Sequence, residues 1–202
     1  MTQDIFYFEP EITDCEISLQ GINTLVNTYQ SGASDRLVLS NSIGYWALSI
    51  NLISLSLQKA KQIFAFLCSQ QGRAKTFKIR LREFETQSKY TGVIQIDGLE
   101  QTGNAINVKN MNANTVCLHS GDFIKFANHS KVYQVKTDLI SNTNGLGTLV
   151  LTTPVAKTLS DNESIEYRNF YWTMANADDI MIMNVDLYLR SNPVLNLQEV
   201  WK

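Results

Sequence analysis

From Trp46 to Leu52 apolar and polar residues alternate one for one. Trp46, Leu48, Ile50 and Leu52 point one way, and Ala47, Ser49 and Asn51 the other. Successive side chains leave a strand on opposite sides, so this rhythm marks an extended strand with one buried face. It returns in Phe77, Ile79 and Leu81, opposite Lys78, Arg80 and Arg82. It returns again in Phe170, Trp172 and Met174, and then in Met181, Met183, Val185, Leu187 and Leu189. A chain that repeats this pattern has to find sheet partners, and the expected class is mainly β.

The period changes once. Ala60, Ile63, Phe64 and Leu67 stand at helical spacing, with Gly72 placed to end the turn-rich exit, so one principal helix is expected over about 55–70. Between Gly92 and Tyr167 the texture differs. Short β-type runs such as Val93–Ile96, Ala105–Val108, Val116–Leu118, Asp122–Phe126, Lys131–Val135, Thr148–Leu151 and Ser164–Tyr167 are separated by Asp97-Gly98, Gly103-Asn104, Gly121-Asp122 and Asn144-Gly145. That spacing predicts a small β-barrel or β-sandwich. The expected architecture is α+β: a discontinuous long-stranded β domain, 1–90 plus 169–202, with a compact β module, 91–168, inserted at a surface loop.

The sequence offers little for chemistry. No nucleophile elbow or His-Glu-x-x-His pattern occurs, and Gly145-Leu146-Gly147 leads into a strand, whereas a phosphate loop needs a helix N-terminus. Asp97 with Glu100, or Asp161 with Glu163, are carboxylate pairs that fall in turns. His119 with Asp122 is the one conceivable base and orienter, as in a cell-wall hydrolase; His129 lies in a tight turn. No catalytic, cofactor-binding or metal-ligating set is expected. Cys15, Cys68 and Cys117 are widely spaced and odd in number, and read as small buried apolar residues.

The surface points instead to protein contacts. Charged residues make up only 18% of the 202 residues and the net charge is −2, which gives no overall pull towards nucleic acid or an acidic membrane. The apolar stretch Trp46–Leu57 is too short to cross a bilayer, and the N-terminus lacks the pattern of a signal peptide. Candidate interface residues are the cationic strand face Lys78, Arg80 and Arg82, suited to an acidic neighbour, and Trp201. A large aromatic there is expected to dock on its own domain or on a neighbouring subunit. A second reading makes the inserted module a glycan- or receptor-binding part, with Tyr90, Tyr133 and Tyr167 exposed around a shallow groove.

The element Ala74-Lys75-Thr76-Phe77 after the helix, the run Gly121-Asp122-Phe123-Ile124-Lys125-Phe126 and the later Lys131-Val132-Tyr133-Gln134-Val135 resemble tail proteins of long-tailed phages. Gly145-Leu146-Gly147-Thr148-Leu149, Thr153-Pro154 and Asp161-Asn162-Glu163-Ser164-Ile165 extend the resemblance, which spans roughly 46–168 and is made of structural turns. It is similar to distal tail or baseplate ring components. It implies a ring, commonly of six copies, that continues the tail tube, with the genome passing through its channel. The inserted module would face outward to the tail hub, fibres or other baseplate proteins, in a virion assembled in the host cytoplasm.

Overall fold

A computed structural model describes residues 4–21, 24–27, 34–37, 43–52, 55–180, 182–191 and 193–201. The chain opens with β1 (Asp4–Ile5), β2 (Ile12–Gln20), β3 (Thr24–Asn27), β4 (Ser34–Leu37), β5 (Tyr45–Leu52) and β6 (Leu55–Ser56), followed by α1 (Leu57–Ser69) and β7 (Phe77–Ile79). Next come β8 (Gln95–Ile96), β9 (Ala105–Lys109), β10 (Val116–Leu118), β11 (Phe123–Phe126), β12 (Val132–Gln134), β13 (Leu139–Ile140), β14 (Gly147–Val150) and β15 (Ile165–Glu166). The chain closes with β16 (Trp172–Asn176), β17 (Arg190–Ser191) and β18 (Val194–Glu199). The fold is mainly β with one α-helix among the described residues, the α+β class that the two periodicities require.

The largest sheet has six strands in the order β1-β7-β16-β18-β5-β2. Only β1 with β7 is parallel; every other neighbour is antiparallel. In β5 the alternation holds as expected: Trp46, Leu48, Ile50 and Leu52 are buried. Phe77, Ile79 and Leu81 are buried too, although the strand stops at Ile79 and a short 3-10 turn takes over from Arg82. Helix α1 presents Ala60, Ile63 and Leu67 to this core, with Phe66 set edge-on to Phe6 and Phe77. The helix ends at Ser69, and Gln71 (φ 55°) adopts the left-handed conformation one residue before Gly72 (φ +62°) does.

Two strand placements differ from the sequence-based expectation. The alternating stretch 181–189 forms no strand over its described residues 182–189, and Ile182, Val185, Leu187 and Leu189 are exposed; Met181 lies outside the described residues. The strand that pairs with β5 and β16 is β18, where Leu195 and Leu197 alternate inward with Glu199. The nine-residue β2 was legible in no pattern; it lies at the sheet edge with Asp14 and Glu16 exposed.

Buried apolar residues fall into two clusters. The first draws on β5, β6, α1, β7, β16 and β18. The second collects side chains from β8 to β15, which form sheets β14-β9-β8, β12-β11-β15 and β10-β13. The hairpin β11–β12 serves both: Phe123 and Val132 belong to the first cluster, while Ile124, Phe126 and Tyr133 belong to the second. Its register, Ile124 opposite Tyr133 and Lys125 opposite Val132, puts the two sets on opposite faces of the ribbon.

Candidate assembly surfaces

The six-stranded sheet has unlike edges. At one end β2 is hydrogen-bonded to β5 alone among the described residues, over a register running from Ile12 to Gln20. At the other, β1 covers β7 over two residues. Pairing places Lys78 beside Thr173, Ala175 beside Gln198, Gln198 beside Ala47, and Ala47 beside Ser18. The face away from the core therefore carries Lys78 near the β1 edge and Asp14 and Glu16 at the β2 edge.

The three cationic residues expected to act as a stripe are separated by their environments. Arg80 binds Glu85 through both carboxylate oxygens (2.7 and 3.0 Å) and also donates to Asn169 Oδ1 at 2.5 Å. Arg82 opens a 3-10 turn and is exposed. Lys78 stays on the sheet face. Trp201 is half-buried, with the Lys131 ammonium 5.5 Å from its ring centroid, which is the intramolecular one of its two expected dockings.

Lys131 belongs to a buried polar joint that the sequence did not suggest. Its Nζ donates to the Gly44 carbonyl at 2.6 Å and to Glu199 Oε2 at 3.1 Å. Glu199 also accepts the backbone N–H of Val132 (2.6 Å) and of Trp46 (3.2 Å), while the Trp46 indole donates to the Val132 carbonyl at 2.9 Å. Lys131 is 1% exposed and Glu199 4%. Burial lowers the Lys131 pKa and raises that of Glu199, in each case outweighing the attraction of the partner. The joint ties hairpin β11–β12 to β5 and β18.

The candidate catalytic residues do not come together. Asp122 accepts the backbone N–H of His119 (2.8 Å) and the Thr86 hydroxyl (2.6 Å), so its carboxylate caps a turn. The exposed His119 imidazole instead faces Asp138 at 3.6 Å. Asp97 and Asp161 share Lys109 (3.5 and 2.6 Å). Glu163 is buried and accepts from the backbone of Asn128 and Ser160. His129, expected as a polar turn residue, is buried with Nδ1 3.1 Å from the Tyr133 hydroxyl and Nε2 unbonded; burial lowers its pKa.

Tyr90, Tyr133 and Tyr167 do not line a groove. All three are buried in the second cluster, Tyr133 completely, and burial pushes its phenol up to about 12. Of the cysteines only Cys117 is buried, whereas Cys15 is half-buried and Cys68 exposed on the outer side of α1. No group of three or more metal-ligating side chains occurs among the described residues. None of their helices is long and apolar enough to cross a membrane.

The segment 177–193 is the least expected surface. Ile180, Ile182, Leu187, Tyr188 and Leu189 are all exposed there. Beneath it, against α1 and the start of β18, lies a cavity of about 190 Å³. A contiguous apolar patch beyond roughly 300–600 Å² is unusual on a monomer and marks an interaction site. No protein-family model matches the sequence, and no curated protein does.

Proposed function

We propose that this chain is a structural subunit of a phage tail tip or baseplate. Copies join edge to edge into a ring, probably the six-membered ring that the resemblance implies, which continues the tail tube and anchors other baseplate or fibre proteins. The observation that carries this reading is the pair of unlike sheet edges. Joining β2 of one copy to the β1 edge of the next is a head-to-tail contact, and such contacts close into rings. Opposite charge supports that pairing, since Asp14 and Glu16 mark one edge and Lys78, with Arg82 beyond it, the other. Ring closure would also satisfy a long open strand edge that a free monomer must otherwise protect. In this reading 1–90 plus 169–202 form the ring, and 91–168 face outward as an inserted module.

Mass photometry of the purified chain tests this. A ring-sized species is expected, reduced to smaller species by Asp14→Lys with Glu16→Lys, and restored when Lys78→Glu and Arg82→Glu are added. A wild-type chain that stays monomeric, both alone and mixed with its tail neighbours, would overturn the proposal. So would a ring indifferent to the charge reversal.

A further inference from the structure

The turn at 186–190 is built to hold apolar side chains in water. Asp186 Oδ1 accepts the backbone N–H of Tyr188 (2.9 Å) and of Arg190 (2.7 Å). The Asp186 N–H donates to the Arg190 carbonyl at 2.8 Å, and the Leu189 N–H donates to the Asp186 carbonyl at 3.1 Å. Leu189 takes φ 57°, a left-handed conformation that is uncommon for a bulky residue. The foot of the turn is anchored where Arg190 and Ser191 pair with Ser56 and Leu55. On this ordered frame Leu187 is 99% exposed, Tyr188 83% and Leu189 61%. Their display is therefore preorganised, which removes much of the entropic cost of docking them.

The neighbouring cavity has matching features. Ile63, Phe64 and Leu67 of α1 and Leu195 of β18 supply apolar wall, and Ser191 lines it as well. The Ser191 hydroxyl is buried and has no hydrogen-bond partner. A cavity of about 150 Å³ with apolar walls accepts benzene, so 190 Å³ has room for a phenol ring. An orphaned hydroxyl at its wall offers that phenol a partner. The chain's own Tyr188 is turned out to solvent by the Asp186 turn.

We infer that two copies of this chain pair about a two-fold axis, the Tyr188 ring of each entering the cavity beside Ser191 of the other, with Leu187 and Leu189 packed around it. Knob and cavity lie within a few residues of each other, so one symmetric contact fills both cavities, as an isologous interface requires. The exposed apolar side chains of 180–189 offer roughly 700 Å² per copy, close to the ~800 Å² per partner of a standard interface. This contact uses neither sheet edge. It goes beyond the ring proposal and does not depend on it; within an assembly it would join two rings, or two free subunits.

Sedimentation velocity of the full chain over a range of concentrations tests the inference. The wild type is expected to form pairs. Leu187→Asp, at a position too exposed to disturb folding, should raise the pair dissociation constant at least tenfold. Tyr188→Phe should raise it less, and should have no further effect once Ser191→Ala has removed the hydroxyl partner. Self-association unchanged by Leu187→Asp overturns the inference, as does additive loss from Tyr188→Phe and Ser191→Ala. A pair contact that survives in Asp14→Lys, Glu16→Lys chains separates it from the ring reading, because rings lost while pairs persist sink only that reading. Binding of 180–189 to lipid vesicles or a foreign protein, with no self-association of the chain, overturns it too.

Discussion

Replacing Lys131 by methionine should destabilise the fold far more than losing one surface charge would. The ammonium is buried, and its removal leaves the Glu199 carboxylate with two backbone N–H donors but no cation. Stripping one partner from a buried ion pair costs about 3–5 kcal/mol, because the remaining charge stays desolvated. For a chain of this size that corresponds to a fall in Tm on the order of 10 °C. Glu199→Gln alone strands the cation instead, with only the Gly44 carbonyl left to it. The double variant Lys131→Met, Glu199→Gln removes both charges, while the amide oxygen can still accept the Val132 N–H. It should therefore lie closer to wild type than either single variant. Urea denaturation followed by tryptophan fluorescence gives all four free energies. A Lys131→Met variant within about 1 kcal/mol of wild type would refute the reasoning, and so would a double variant worse than both singles.

Two further outcomes are expected from buried positions. His129 has its pKa lowered by burial, so the unfolded chain takes up a proton below about pH 6.5 that the folded chain refuses, and stability falls as pH drops from there. The difference in unfolding free energy between wild type and His129→Phe should change with pH in that window and be flat above it; a constant difference throughout would remove His129 as the cause. Gly145 has φ +71°, and a Cβ there would run into the Met111 carbonyl oxygen, whose residue's N–H donates to the Gly145 carbonyl at 3.1 Å. Gly145→Ala should cost more than about 1 kcal/mol in chemical denaturation, and a neutral substitution would show that the turn relaxes.

The strands that were legible in the sequence are those whose burial is one-sided and apolar. β5 announces itself because its inward positions are uniformly apolar, and α1 because Ala60, Ile63 and Leu67 repeat at helical spacing. β18 hides because one of its inward positions is Glu199, and a period reader scores a carboxylate as outward. β2 hides because, as an edge strand, it buries little. The stretch 181–189 misleads in the opposite direction: its alternation is clean, yet the Asp186 side chain commits the backbone to a turn before a strand can form. Tyr90, Tyr133 and Tyr167 follow the same logic, since a tyrosine in a strand reads alike whether its ring faces a groove or a core. The Lys131–Glu199 joint could not have been found, because it links positions 68 residues apart through a fold that periodicity does not specify.

Hairpin β11–β12 is a party wall, with one tenant's furniture on each side. Heating cannot empty one room alone, because loosening Phe123 and Val132 also displaces Ile124, Phe126 and Tyr133 next door. The whole chain should thus absorb its heat of melting in a single step. A pull applied to residues 91–168 would likewise be felt in the six-stranded sheet, carried there by a ribbon only four residues long on its first strand.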